Sequence, residues 1–150
     1  MITQEQIKQS ILILDNYKKC FGHELIPTQK NALDLALQLS KAPVPCMSSN
    51  NASNPLLNYA NERALGLWEL SWDELVHMPG NQTAEPGDRN ARQQFLDKVR
   101  EQGFVDDYAG IRISSSGRLF KIKNAKVWNL LGSNEEYLGQ AATFKQWEYI

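Results

Sequence analysis

Apolar positions recur at helical spacing toward the N-terminus of the chain and alternate at strand spacing toward its C-terminus. Ile7, Ile11 and Leu14 share one face of a helix predicted from Thr3 to about Lys19. Thr3 and Gln6 have the spacing of a capping box there, and Ile2 is placed to staple onto Ile7. A second helix is predicted from Pro27-Thr28 to about Ser40, with Leu33 and Leu37 buried and Pro43 and Pro45 past its end. Cys46 to Ser49 and Leu56 to Ala60 read as two short strands joined by an Asn/Ser turn. Asn61 then caps a helix carrying Ala64, Leu65 and Leu67, and Ser71 with Glu74 makes a second capping box in front of Leu75.

Gly80 to Gly87 reads as a loop, after which Asp88 is expected to cap a helix bearing Ala91, Phe95, Leu96 and Val99 and ended by Gly103. The remainder is strand-rich. Phe104 to Ile113 leads into a hairpin turn at Ser114 to Gly117. In the next strand, Arg118 to Leu131, plain alternation puts Phe120, Ile122, Asn124, Lys126 and Trp128 on one face, with Ala125 and Val127 on the other. Gly132 to Glu136 turns the chain into a last strand from Tyr137 to about Trp147. The expected fold is α+β: a five-stranded antiparallel sheet with helices between its second and third strands, preceded by two N-terminal helices. Residues 1–44 form the helical extension and residues 45–150 the sheet domain. The apolar faces of the extension are expected to cover the back of the sheet or to meet a partner chain.

A length of 150 residues suits one domain with a real core. Lys and Arg number 16 against 17 Asp and Glu, so bulk charge favours neither nucleic acid nor an anionic membrane as partner. Gln4, Glu5, Gln6 and Lys8 interrupt the first apolar run, which reads as no signal peptide, and a cytoplasmic location is expected. Cys20 and Cys46 are too few for a disulfide scaffold or a metal site and fit a reducing compartment.

The order strand, Tyr59-Ala60-Asn61, helix, Ser71-Trp72-Asp73-Glu74-Leu75 resembles the front half of a PAS sensory domain. The segments NYANERALGLWELSWDELVHMP, FVDDYAGIRISSSGRLFKIKNAKVWNLL and YLGQAATFKQWEYI, with the Ala84-Glu85-Pro86 loop, look like the MEKHLA family. That family is PAS-related, occurring alone in bacteria and algae and at the C-terminus of class III homeodomain-leucine zipper regulators in plants. The resemblance covers nearly the whole chain and implies a PAS-like sensory or protein-interaction module. Nothing in the sequence resembles a homeodomain or a zipper. PAS domains that form a flavin adduct use a cysteine, two asparagines and a glutamine. Alignment on Gly117 and Gly139 places Arg112, Ile122 and Ala141 at the last three positions, and Asn81 to Pro86 contains no thiol, so flavin adduct chemistry is not expected. Haem is not expected either, because His23 lies outside the PAS core and His77 near a helix end.

The candidate ligand-binding residues are Tyr59, Trp68, Trp72, Tyr108, Arg112, Phe120, Asn124, Trp128 and Gln140. The aromatic members, with Phe144 and Trp147, suit either a pocket for a flat ligand or an ordinary core. Asn124 and Gln140 are polar on an expected inner face, where burial demands hydrogen bonds to a ligand or to a structural network. Arg112 faces away from Ile111 and Ile113. It either binds a carboxylate or phosphate inside or pairs with an acid on the surface. Asp106 and Asp107 are adjacent in a strand and point to opposite faces, which suits a solvated strand end better than an acid-base pair. Cys46 reads as a small buried hydrophobe. The PAS resemblance implies that the Glu85 to Arg89 segment stands at the mouth of where a PAS pocket would be. No phosphate loop, catalytic triad or metal cluster is evident. The expectation is a non-catalytic sensory or interaction module that senses a small ligand and signals through a homodimer or partner protein. The alternative is a small-molecule carrier or uncharacterised enzyme using an aromatic cavity. The cofactor, if any, is left unknown.

Overall fold

The structure, a computed structural model, describes residues 2–27 and 31–150. Its helices are α1 (Gln4–Phe21), α2 (Ala32–Lys41), α3 (Glu62–Trp68), α4 (Trp72–Leu75) and α5 (Arg89–Gln102). Its strands are β1 (Cys46–Ser49), β2 (Leu57–Ala60), β3 (Phe104–Ile113), β4 (Leu119–Leu131), β5 (Tyr137–Thr143) and β6 (Gln146–Tyr149). The segment read as a loop before α5 contains two 3-10 turns, Gly80–Thr83 and Pro86–Asp88.

Local chemistry accounts for the helix ends. Thr3 and Gln6 form the capping box of α1, which stops at Gly22 with φ of 79°. In α2 the cap is Asn31, whose side chain accepts from the Asp34 amide; the predicted opening at Thr28 lies outside the described residues. The prediction that Leu33 and Leu37 are buried fails: they are 45% and 40% exposed, and Ala36 and Leu39 are at 0%. The face turned inward is the Leu35, Ala36, Leu39 stripe, one step round the helix. Asn61 caps α3 through Ala64 N, and its Oδ1 also accepts from Cys46 N. Its Nδ2 donates to Leu39 O and Val44 O, so one buried amide ties α2, β1 and α3 together. Ser71 and Glu74 form the box of α4.

One antiparallel sheet runs in the order β2-β1-β5-β4-β3, with β6 also paired to β4. The predicted last strand is therefore two: β5 pairs with Lys126 to Leu131 and β6 with Phe120 to Lys123. The break faces Asn124, which sits in the left-handed region at φ of 51° and donates from Nδ2 to Gln146 Oε1 at 2.7 Å. Asparagine tolerates that region better than most residues. The extra residue it inserts reverses the alternation of β4, correcting the sequence assignment of faces. Phe120, Ile122, Ala125 and Val127 share one core cluster, whereas Trp128 and Leu130 belong to another. In β3 the pairing of Val105 with Val127 and of Tyr108 with Ala125 leaves a matching irregularity at the exposed Asp106-Asp107.

The sheet thus separates two cores. One lies against α3, α4 and α5, and the other lies beneath α1, where Ile13, Leu14 and Tyr17 pack on Trp128 and Leu130. The apolar face of α1 is covered by the chain's own sheet. Trp128 Nε1 donates to Ile13 O at 3.2 Å, and Lys126 Nζ donates to Tyr17 OH at 2.9 Å. Among the described residues no helix is long and apolar enough to cross a membrane.

Candidate functional site

Between the inner face of the sheet, the Gly80–Thr83 turn and α5 lies a cavity of about 80 Å³. Leu57, Ile122, Val127 and Phe144 supply apolar walls, and Arg92 and Arg112 supply the charge. Among the described residues no acidic one lines it.

Arg112 projects inward from β3 and is only 6% exposed. Its Nη2 donates to Tyr108 OH at 2.8 Å and its Nη1 to Ile111 O at 3.1 Å. Asp88 Oδ2 stands 3.5 Å from Nη1 and also accepts from Ile111 N at 2.9 Å. Asp88 therefore does not cap α5 with its side chain, as the sequence suggested; the carboxylate is drawn instead to the buried guanidinium of Arg112. Gly110 lies between Tyr108 and Arg112 on the same face. A Cβ at this glycine would come within 2.6 Å of Tyr108 OH and 2.8 Å of Arg112 Nη1, so the hydrogen-bonded pair needs its absence. Phe95 stacks on the Tyr108 ring with centroids 3.9 Å apart and holds it upright.

Arg92 enters from α5. It is half-buried, and among the described residues no hydrogen-bond or ion-pair partner is found for it. Burial first, then the neighbouring Arg112, pulls its pKa down to about 10, with Tyr108 acting in the opposite direction. Ser49 also lines the cavity, with no side-chain hydrogen bond found among the described residues, and most other polar groups there are engaged. Trp68 Nε1 donates to Thr83 O at 3.2 Å, and Gln140 Nε2 donates to Leu96 O and Asn129 Oδ1 at 3.1 and 3.2 Å.

Of the nine candidates from the sequence, Trp68, Tyr108, Arg112 and Gln140 come together around this cavity. Phe120 is fully buried beside Trp68, with centroids 5.0 Å apart, and belongs to the core behind it. Tyr59, Trp72 and Trp128 lie on the opposite side of the sheet, in the cluster beneath α1. Asn124 is exposed at its bulge and bonded to Gln146, so it does not orient a ligand in this cavity. A register shift leaves Leu138 unpaired in β5; beyond it Gln140 lines the cavity, and Ala141, which also borders it, belongs to the cluster beneath α1. Glu85 N donates to Ile111 O at 3.2 Å, which anchors the segment at the cavity mouth to β3. Sequence reasoning missed Arg92, Gly110 and the true role of Asp88. Arg92 did leave a signal, for Arg92, Phe95, Leu96 and Val99 form one helical stripe in which the arginine is the odd member.

A sequence model of the MEKHLA domain matches residues 7–149. The chain belongs to the MEKHLA domain family. This MEKHLA domain is 30% identical over 111 residues to homeobox-leucine zipper protein ATHB-9 of Arabidopsis thaliana, covering 74% of this chain and 13% of that protein. It is 25% identical over 141 residues to homeobox-leucine zipper protein HOX9 of Oryza sativa subsp. japonica, covering 92% of this chain and 16% of that one. It therefore spans a small part of the length of those relatives. Among solved structures, the PAS domain of a protein from Colwellia psychrerythraea matches with a TM-score of 0.66 at 15% identity, covering 76% of this chain and 94% of that one. An RNA-binding light-oxygen-voltage receptor matches with a TM-score of 0.64 at 16% identity, covering 81% and 35%. At these identities the likeness establishes the PAS fold and carries no information on a ligand.

The cavity of this MEKHLA domain does not fit a flavin held by a cysteine adduct. Cavities for drug-sized ligands run to roughly 300 Å³ and more, against about 80 Å³ here. Cys46 lies beneath α1, and Cys20 sits on that helix. Burial pushes the Cys46 thiol up to about 12, which leaves it inert at neutral pH.

Proposed function

We propose that this MEKHLA domain is a non-catalytic sensory module that takes a small molecule into the Arg92–Arg112 cavity and passes its occupancy through the sheet to α1. The observation that carries this reading is the placement of the two elements on opposite faces of the same strands. In β4, Ala125 and Val127 line the cavity, and the intervening Lys126 and the following Trp128 hold α1. In β5, Gln140 lines the cavity, and Ala141, which also borders it, belongs to the cluster beneath the helix. A shift that a ligand imposes on one face is delivered to the other within one residue, because close-packed interiors transmit displacement rather than absorb it. Output then goes to a partner protein or a second copy of the chain that recognises α1 or the surface it uncovers. Such a role needs no catalytic residue, and the engaged state of Gln140, Trp68 and Tyr108 suits binding better than proton transfer.

The test is native mass spectrometry of protein purified from its own host, paired with hydrogen exchange of the α1 amides before and after removal of any bound molecule. A small molecule at fixed stoichiometry, with altered α1 protection on its release, supports the reading. A protein that carries no small molecule and shows no change in α1 protection with any compound that binds the cavity overturns it.

A further inference from the structure

We infer that the molecule recognised is a short-chain carboxylic acid, bound as its anion between the guanidiniums of Arg92 and Arg112 with its hydrocarbon end against the apolar walls. This deepens the sensory reading and rests on it. Three observations converge. The first is charge: two guanidiniums line one cavity, and among the described residues Asp88, 3.5 Å from Arg112, is the carboxylate that meets one of them. One positive charge, that of the half-buried Arg92, is left over, and such a charge carries a cost that an anion meeting it would relieve.

The second is unused hydrogen-bonding capacity. A guanidinium offers five N–H donors in a planar fork. Arg112 uses Nη1 on Ile111 O and Asp88 and Nη2 on Tyr108 OH, whereas no partner is found for Arg92 among the described residues. A carboxylate accepts at two oxygens in the plane that such forks match. Room for the forks comes from two glycines. A Cβ at Gly80 would stand 3.0 Å from Arg92 Nη2, and one at Gly110 would stand 2.8 Å from Arg112 Nη1. The mutual repulsion of the arginines, which helps to lower the Arg92 pKa, is relieved when an anion sits between them.

The third is the apolar part of the wall, which outweighs the polar part supplied by Ser48, Ser49, Thr83 and Gln140. Leu57, Ile122, Val127 and Phe144 offer the hydrogen-bonding groups of inorganic phosphate nothing, yet they suit a short alkyl tail. The volume of about 80 Å³ limits that tail to a few carbons.

The experiment is isothermal titration of the full chain with sodium propionate, its neutral isostere propionamide, and sodium phosphate, repeated on Arg92→Met and Arg92→Lys. Propionate is expected to bind at least tenfold more tightly than propionamide and than phosphate. Arg92→Met should weaken propionate binding at least tenfold while its melting temperature stays equal or rises, since an unpaired half-buried charge is removed. Arg92→Lys should recover part of that loss. Equal binding of acid and amide, or undiminished binding to Arg92→Met, overturns charge recognition and leaves the sensory reading intact. Phosphate binding more tightly than propionate overturns the carboxylate assignment. If no probe binds and the host-purified protein carries a neutral molecule, this inference falls and the sensory reading survives. If no probe binds and no bound molecule is found, both fall.

Discussion

The two faces of the sheet are built from the same strands and behave as different materials. Beneath α1, Trp128 is fully buried, edge-on to Tyr17 with centroids 5.1 Å apart and with its indole N–H bonded to Ile13 O. Asn16 closes the same interface by donating to Leu131 O and accepting from Leu131 N, each at 3.1 Å. On the other face the large side chains stop short, a cavity opens, and Arg92 enters it without a partner among the described residues. Close packing is what stability selects, and it holds beneath α1 although Tyr59 OH is buried there without a hydrogen-bond partner among the described residues. A cavity with an unbalanced charge costs stability, and its presence on one face marks where binding is to be sought.

The largest test of that contrast is Trp128→Ala, which should cost about 3–5 kcal/mol by removing a fully buried aromatic. Denaturant unfolding would measure the loss, and hydrogen exchange would report it first in α1; a loss below about 1 kcal/mol would mean that this face is not the structural one. On the cavity face, Asp88→Asn should cost about 2 kcal/mol, because it leaves Arg112 buried without its counter-charge. That loss should shrink in sodium propionate if the inferred anion can stand in for the carboxylate, as differential scanning calorimetry would reveal.

The bulge that sets the faces apart gives a third test. Asn124→Val forces a β-branched residue into the left-handed region and should cost about 1–2 kcal/mol, whereas Asn124→Gly should stay within a few tenths. Chemical denaturation of both variants would show it, and equal stability of the two would argue against the left-handed backbone. The smallest effect concerns Glu69, the C-cap of α3, which accepts from Ser114 Oγ at 2.5 Å and from Ser116 Oγ and so ties the helix to the β3–β4 hairpin. The Ser114 bond, followed by that from Ser116, holds its carboxyl below the ordinary 4.5. A lowered folded-state pKa stabilises above the ordinary value and the benefit is lost as pH falls through the folded one. Glu69→Gln should therefore flatten the dependence of stability on pH below about 4.5, measured by urea titrations across that range.

Helix caps and turn positions were legible because each depends on residues three or four apart. Thr3-Gln6, Asn61 and Ser71-Glu74 behave as their spacing requires, and Gly103 and Gly117 take the positive φ expected of a helix end and a hairpin. Candidate residues on β3 were also legible in part. Arg112 faces away from Ile111 and Ile113 and toward Tyr108, as a period of two demands when no bulge intervenes. Beyond Asn124 the same rule failed, and with it the assignments of Asn124 and Trp128 to the ligand face. A bulge reverses every later side chain, and nothing in the local composition of Lys123-Asn124-Ala125 announces it.

The sequence by itself determined the order of elements, their caps and the MEKHLA membership, since these rest on short-range chemistry and on motifs read along the chain. Only the tertiary structure decided which face of the sheet is filled and which is open. That choice depends on bulges at Asn124 and at Leu138, and on α1 closing over Trp128. The placing of Arg92 and Arg112 in one cavity likewise joins a helix stripe to a strand across a distance in sequence that no local pattern spans.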